Sequence, residues 1–125
     1  MLKATGCAVI AHRGDSAAAP ENTLAAIHQA IEVGADAVEF DVRCTKEREV
    51  VLMHDATVDR TTNGSGAVSE MTVTQIAALD AGAHKGEAYA GEPVPLLRDA
   101  LAVLKGRATA VIEVKDEGIA AEVLT

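Results

Sequence analysis

The sequence predicts an α/β protein with a parallel sheet. Short apolar runs alternate with segments of helical spacing, and polar residues follow each run where a strand should end. Polar side chains at the carboxyl ends of parallel strands are typical of a (β/α)-barrel active site. A complete barrel needs about 250 residues. We therefore expect the chain, residues 1–125, to hold about the first four strands, the N-terminal half of a barrel domain truncated at its C-terminus.

The first strand and the first helix are predicted from an apolar run and from capping residues. Residues 7–11, CAVIA, form a continuous apolar run suited to a strand that is covered on both faces. Residues 19–34 have apolar side chains at helical spacing. Asn22 or Thr23 can cap the beginning of this helix, and Gly34 can close its end.

The second and third strands are predicted at residues 37–42, AVEFDV, and 50–54, VVLMH. Only about eight residues, 42–49, join them, fewer than the dozen or so that a helical crossover needs. An extended segment of that length can still run back along a five-residue strand. We therefore expect an extended return that keeps the two strands parallel.

The rest of the chain predicts one long loop, two helices and a fourth strand. Residues 57–95 are rich in Thr, Gly and Asn, with a short helix from Val73 to Leu79; loops of this length are usually functional. Residues 93–106 read as a helix that begins at a proline and ends at a glycine. Residues 109–115 give the fourth strand, and 116–125 begin another helix.

Composition excludes several classes of partner. The net charge is −8 and the only aromatic residues are Phe40 and Tyr89, so nucleic acid is a poor fit. No run of about 18 apolar residues exists, which excludes a membrane span. We read no signal peptide and expect a cytoplasmic protein. Cys7 and Cys44 suggest no disulfide framework and read as small core residues.

Acidic residues on two predicted strands indicate a metal site. Glu39 and Asp41 emerge on the same face of a strand, roughly 6.5–7 Å apart. Like charges that close repel unless a proton or a cation lies between them. Glu113 from the fourth strand could join them around one hard divalent cation, Mg²⁺ or Ca²⁺. The alternatives are a solvated strand face for Glu39 and Asp41, and mutual neutralisation of Glu113 and Lys115.

Two histidines and two basic residues complete the candidate site. His12 and His54 stand at equivalent ends of two strands and could supply an acid and a base. Arg13 and Lys115 add positive charge suited to phosphate oxygens. A histidine or arginine at a strand end is more often a surface residue, and His28 and His84 keep that reading, as a helix-face and a loop residue. Asp55 reads as a loop buttress.

These segments, in this order, resemble the glycerophosphodiester phosphodiesterase family. The similarity covers nearly the whole chain and is carried by the following motifs: AHRG, PENT, EFDV, HDATVDRTTNGSG, ALDAG, GEPVPLLRDAL and IEVK. The resemblance implies a TIM barrel and hydrolysis of small glycerophosphodiesters to glycerol 3-phosphate and an alcohol with a divalent cation. It also assigns roles to seven residues: an acid–base pair, His12 and His54; phosphate binding by Arg13 and Lys115; and metal binding by Glu39, Asp41 and Glu113.

Two departures from the family pattern leave alternatives open. No aromatic residue stands near His84, where relatives often carry one, and relatives are about twice as long. A phospholipase D-like enzyme acting on sphingomyelin or lysolipids has a similar His, Glu and Asp arrangement, but no secretion signal or disulfide pattern supports it. A half-barrel would also have two open sheet edges. The chain could therefore be a non-catalytic half that needs a second copy or a separate C-terminal half.

Overall fold

Strands and helices alternate along the chain much as the sequence predicts. The computed structural model describes residues 9–116. The elements within this range are β1 (Ile10–His12), α1 (Leu24–Glu32), β2 (Ala37–Cys44), β3 (Val50–Leu52), α2 (Val73–Ala77), α3 (Leu97–Leu104) and β4 (Thr109–Val114). Two short 3₁₀ helices lie in the long segment before α3, at Val68–Glu70 and Glu87–Tyr89.

The central strand of the sheet is β2, which pairs in parallel with β1 on one edge and with β4 on the other. Its register places His12 beside Glu39 and Asp41 beside Glu113. Residues that pair across parallel strands present their side chains to the same face of the sheet. The register alone therefore gathers these four side chains on one face.

The third strand differs from the prediction: β3 runs antiparallel to β2, pairing Val42 with Leu52 and Cys44 with Val50. The connection is a tight turn in which the Thr45 amide donates to the Glu49 carbonyl at 2.8 Å. Five residues between strands close a hairpin, whereas a parallel return needs a long crossover. The expected extended return is therefore wrong, and within residues 9–116 the parallel strands are β1, β2 and β4.

The helices begin where capping groups and prolines allow. The Thr23 hydroxyl accepts a hydrogen bond from the Ala26 amide and caps α1, so Thr23 rather than Asn22 is the cap. The helix expected from Pro93 begins only at Leu97. The segment before it is extended, and its Pro95 carbonyl accepts from the Leu52 amide at 3.0 Å. A proline disfavours the helical conformation of the residue before it, here Val94 before Pro95, which explains why α3 begins after Pro95.

The main apolar core lies between the sheet and the helices. Alternate β2 residues, Val38, Phe40 and Val42, are fully buried and belong to one cluster with side chains of α1 and α3. Their neighbours Glu39 and Asp41 must then face the opposite side of β2. A second cluster lies under the long segment after β3 and consists of Val51, Met53, Val58, Val68, Ile76, Ala81 and Val94.

Some predictions lie partly or wholly outside the described residues. These are the beginning of the first strand, the core position of Cys7 and nearly all of the helix expected at 116–125. Cys44 is buried, as expected of a small core residue. None of the helices within residues 9–116 has the length and apolar character that crossing a bilayer requires.

Candidate active site

Three carboxylates meet on the face of the sheet opposite the helices. Glu39 and Asp41 project from β2 and Glu113 projects from β4, and each offers an oxygen within 4.8 Å of the other two. Asp41 is 1% exposed, whereas the side chain of Glu113 is 54% exposed. The cluster therefore has a buried base and an open side.

The oxygen donors of this cluster fit a hard cation. Mg²⁺ and Ca²⁺ prefer carboxylate ligands, and a buried carboxylate such as Asp41 needs positive charge or hydrogen bonds nearby. Three acidic side chains with at least one oxygen each within 4.8 Å can supply a shared ligand set. The predicted grouping of Glu39, Asp41 and Glu113 thus occurs, and the cluster is able to hold a metal ion.

Two cationic side chains border the same cluster. Lys115 Nζ donates to Glu113 Oε1 at 2.9 Å and lies 3.8 Å from Asp41 Oδ1. This hydrogen bond and the lysine charge lower the pKa of Glu113. Arg13 Nε lies 3.5 Å from Asp41 Oδ2 and, although buried, makes no hydrogen bond to any residue in the described range. Lys115 therefore does more than neutralise Glu113, because it also approaches Asp41.

A sharp turn after β1 brings His12 and Arg13 to the cluster. His12 Nε2 lies 3.6 Å from Glu39 Oε1, and the Arg13 amide donates to the same oxygen at 3.1 Å. Arg13 has φ 54° and Gly14 has φ 76°, so the chain turns through two left-handed residues. The His12 side chain is 65% exposed and is open to solvent.

Asn22 is a site residue that the sequence did not reveal. Its Nδ2 donates to Asp41 Oδ2 at 3.0 Å, and its Oδ1 accepts from the Asp41 amide at 3.0 Å. Asn22 is 4% exposed and has φ 56°, a conformation that asparagine tolerates better than most residues. The capping preference of asparagine concealed this role, because Thr23 is the actual cap.

His54 lies at the centre of a second polar group. Its Nδ1 is 2.7 Å from Asp55 Oδ1, so Asp55 contacts the imidazole as well as the loop. Arg43, from β2, donates from Nε and Nη2 to the His54 carbonyl at 3.0 and 2.8 Å. Arg43 also forms an ion pair with Asp116, with Nη1 2.7 Å from Oδ1.

Arg60 joins this second group to the segment before α1. It donates to both oxygens of Asp55 at 2.9 and 3.1 Å and to both oxygens of Glu21 at 2.9 Å. Glu21 also accepts from Arg13 Nη1 at 3.2 Å. The two polar groups are therefore continuous through Arg13 and Glu21.

Arg60 and Arg13 favour the ionised form of the two carboxylates in this group, Asp55 and Glu21. Hydrogen bonds from Arg60 and His54 hold the pKa of Asp55 far below its usual range. Burial alone would raise the pKa of Glu21, but the hydrogen bond and charge of Arg60, with Arg13 and His54, outweigh it and lower that pKa. The same two carboxylates raise the pKa of Arg60. All three groups are consequently charged at neutral pH.

The other histidines stand apart from these groups. His28 is exposed on α1, and His84 is exposed in the segment between α2 and α3. The surface interpretation of both residues agrees with this exposure. Glu21, Asn22, Arg43 and Arg60 were not predicted. Glu21, Asn22 and Arg60 lie in loops, whose side chains have no periodic signal, whereas Arg43 continues the alternation of Glu39 and Asp41 along β2 and could have been found from it.

The chain is similar to known phosphodiesterases over most of its length. The family model described as the glycerophosphoryl diester phosphodiesterase family matches residues 12–124. A glycerophosphodiester phosphodiesterase of Caldanaerobacter subterraneus subsp. tengcongensis is 56% identical over 89 residues, which are 71% of this chain and 37% of that protein. Human glycerophosphodiester phosphodiesterase 1 is 50% identical over 95 residues, which are 74% of this chain and 29% of that protein.

Solved structures give the same fold. A glycerophosphodiester phosphodiesterase from Agrobacterium tumefaciens str. C58 has a TM-score of 0.84 and 43% identity, covering 86% of this chain and 46% of that one. An Oleispira antarctica phosphodiesterase in complex with the product sn-glycerol-3-phosphate has a TM-score of 0.88 and 38% identity, covering 94% of this chain and 51% of that one.

The predicted fold class is confirmed, because these structures are TIM barrels and the sheet of this chain matches part of them. The chain spans about half the length of these two solved relatives, and less of the two relatives matched by sequence alone. Since the family model matches nearly all of the sequence, residues 12–124, the chain belongs to the glycerophosphoryl diester phosphodiesterase family.

Proposed function

We propose that this chain carries the metal- and phosphate-binding part of an enzyme that hydrolyses glycerophosphodiesters to glycerol 3-phosphate and an alcohol. The observation that carries the proposal is the meeting of Glu39, Asp41 and Glu113 beside Lys115. A carboxylate cluster with a cationic border suits a bound cation and an anionic ester together. The product bound to the Oleispira relative is of this chemical class.

The three carboxylates would hold one divalent cation, Mg²⁺ or Ca²⁺. When bound, such an ion neutralises phosphate charge and polarises phosphoryl oxygens. Arg13 and Lys115 would bind the non-bridging oxygens of the phosphate. Arg13 suits this role through its charge, because its guanidinium borders the carboxylate cluster with Nε 3.5 Å from Asp41 Oδ2.

His12 and His54 would transfer the protons. We assign His12 as the base, which takes a proton from the attacking oxygen as that oxygen bonds to phosphorus. The attacking oxygen is that of water or of the neighbouring glycerol hydroxyl, and in the second case the product is a cyclic phosphate that water then opens to glycerol 3-phosphate. His54 would be the acid, which gives a proton to the departing alkoxide as its bond to phosphorus breaks. Each transfer contributes on the order of 10²–10⁴-fold to a rate. The exposure of His12 leaves its ring accessible to a substrate.

Choline release tests the substrate class. The chain, supplied with Mg²⁺ or Ca²⁺, is expected to release choline from glycerophosphocholine and not phosphocholine or choline from sphingomyelin. Turnover of sphingomyelin alone would favour the phospholipase D-like alternative. In an active preparation, His12→Ala is expected to abolish turnover while the circular dichroism spectrum is unchanged, and near-normal activity would contradict the role of His12. His28→Ala, which changes an exposed histidine on α1, is the control.

A second proposal is that the chain binds the metal but needs a partner for turnover. The 125 residues match 46% and 51% of the solved relatives, and the other strands of those barrels lie outside the match. A second copy or a separate C-terminal half would complete the barrel. The cytoplasmic location expected from the sequence stays a prediction.

Titration calorimetry separates metal binding from catalysis. The chain is expected to bind Mg²⁺ or Ca²⁺, and Asp41→Asn is expected to weaken binding by about 10- to 100-fold because it removes the buried ligand. Glu32→Gln, an exposed change at the end of α1, should leave the affinity unchanged. Equal affinities in the wild type and Asp41→Asn would contradict the assigned ligand set.

A further inference from the structure

Arg60 holds two carboxylates at once with a single planar group. Its guanidinium makes two bidentate pairs, one with Asp55 and one with Glu21, through four hydrogen bonds of 2.9 to 3.1 Å. The planar fork of arginine fixes the orientation of each carboxylate, which a lysine ammonium cannot do. Asp55 and Glu21 are 34 residues apart in sequence, so Arg60 fixes the Asp55 loop to the segment before α1.

Asp55 in turn determines where His54 carries its proton. Asp55 is held ionised by its hydrogen bonds to Arg60 and His54, so its oxygens only accept hydrogen bonds. Its Oδ1 lies 2.7 Å from His54 Nδ1, which must then be the protonated nitrogen. The neutral ring is therefore in the Nδ1–H tautomer and its Nε2 has a free lone pair.

The charged groups around His54 support the same arrangement. The charge of His54 contributes to lowering the pKa of Glu21, and both side chains line one small cleft with Asn22 and Thr61. Arg43 holds the His54 carbonyl with two hydrogen bonds. Arg43 thus holds the backbone of His54, and Asp55 holds its ring at Nδ1.

We propose that Arg60 is a positioning residue for His54, acting through Asp55 to keep the proton of the neutral imidazole on Nδ1, so that Nε2 is the nitrogen that exchanges a proton with the substrate. In the acid role assigned to His54, Nε2 carries that proton in the imidazolium form and gives it to the alkoxide, which leaves the neutral Nδ1–H ring. Within residues 9–116 the side-chain hydrogen bonds of Arg60 run to Asp55 and Glu21, and Asp55 in turn contacts the imidazole, so the effect of Arg60 on His54 is transmitted by Asp55. The role of this arrangement in catalysis rests on the proposed function, whereas the position of the proton on His54 Nδ1 follows from the contact with Asp55 alone.

Nitrogen NMR of the ¹⁵N-labelled chain, without metal or substrate, tests the proposal. The signals of His54 are identified by their loss in His54→Gln. At a pH where the ring is neutral, the wild-type chain is expected to show the Nδ1–H form. Arg60→Gln should reduce the ratio of Nδ1–H to Nε2–H by about 5-fold or more, because Asp55 loses the group that orients it.

Two further variants control the experiment. Arg60→Lys should also shift the ratio, by less than Arg60→Gln, because an ammonium keeps the charge and loses the fork. Arg98→Gln should leave the ratio unchanged, since it removes an exposed arginine that pairs with Glu49 on the surface. An unchanged ratio in a folded Arg60 variant would overturn the proposal.

The wild-type spectrum is decisive even if the variants do not fold, since a predominant Nε2–H form of His54 overturns the proposal by itself. The result is also independent of the proposed function. The expected tautomers together with no choline release would reject turnover by residues 1–125 alone and leave the positioning role standing. Choline release together with an unchanged ratio would reject the positioning role alone.

Discussion

A single buried carboxylate determines how the residues of the site are arranged. Asp41 is 1% exposed, and an ionised group at that depth is costly unless it is paired and hydrogen-bonded. The Asn22 side chain donates a hydrogen bond to the Asp41 carboxylate and accepts one from the Asp41 backbone amide, at 3.0 Å each. Arg13 and Lys115 approach its two oxygens from different elements. Asp41 thereby connects the turn after β1, the central strand and the end of β4.

Removing the Asn22 amide is expected to destabilise the chain by about 1–3 kcal/mol, since Asp41 would lose two buried hydrogen bonds. The suitable variant is Asn22→Gly, because glycine accepts the φ of 56° without strain. Urea denaturation in the absence of metal measures the free energy of unfolding. Asn63→Gly is the control: it makes the same chemical change at an exposed position.

Equal losses of unfolding free energy in Asn22→Gly and Asn63→Gly would contradict this role of Asn22. Asn63 also accepts a backbone hydrogen bond, from the Asp80 amide at 3.0 Å, so both changes remove an acceptor. Only the change at Asn22 leaves a buried carboxylate and a buried amide without their partner. The difference between the two variants therefore reports burial.

At the scale of elements, the site depends on a close fit between the turn after β1 and helix α1. The Gly14 amide donates to the Glu39 carbonyl at 3.1 Å, and the Asp15 amide donates to the Ala26 carbonyl at 2.9 Å. A Cβ on Gly14 would lie 2.6 Å from Ala26 Cβ and 2.8 Å from its carbonyl carbon. Only glycine allows the turn and the helix to approach this closely.

Gly14→Ala should therefore lower the free energy of unfolding by about 1–3 kcal/mol more than Gly106→Ala does. The two glycines have nearly the same φ, 76° and 75°, but a Cβ on Gly106 would meet nothing within 4 Å. The comparison thus cancels the backbone strain and leaves the steric clash. Urea denaturation followed by circular dichroism provides the measurement, and equal losses in both variants would refute the explanation.

The sequence was most informative where one element is regular and least informative where elements meet. Alternation along β2 predicted correctly that Glu39 and Asp41 share a face, and helical spacing predicted α1. The predicted direction of β3 was wrong, because the short turn from Thr45 to Glu49 determines that direction and the apolar composition of the strand does not. The Glu21–Arg60–Asp55 group could not be predicted, since tertiary packing brings these loop residues together.

At the scale of the whole molecule, the paired carboxylates make stability depend on pH. Glu21 and Asp55 both have pKa values lowered in the folded chain, so the unfolded chain binds protons more readily. The stability that they contribute is fully present above their unfolded pKa values, near pH 4. It is lost as the pH falls below that range towards their folded values.

The free energy of unfolding should therefore decrease as the pH falls from about 5 to 3. Arg60→Gln should make this decrease less steep, because Arg60 is the main group that favours the charged form of both carboxylates. Arg98→Gln should keep the wild-type slope. Urea denaturation at several pH values gives the slopes, and the same slope in Arg60→Gln and the wild type would rule out this origin.

The hairpin formed by β2 and β3 has a consequence for how the site can change. Glu39 lies in β2, Glu113 lies in β4 and His12 is the last residue of β1. Moving one of them would therefore require the hydrogen-bond pairing of these parallel strands to shift. His54, in contrast, follows β3, which runs antiparallel to β2 and is joined to it by a short turn. One histidine therefore follows a strand of the parallel ladder and the other an antiparallel hairpin strand, so an insertion or deletion in the hairpin turn would shift His54 relative to the three carboxylates without breaking the pairing of β1, β2 and β4.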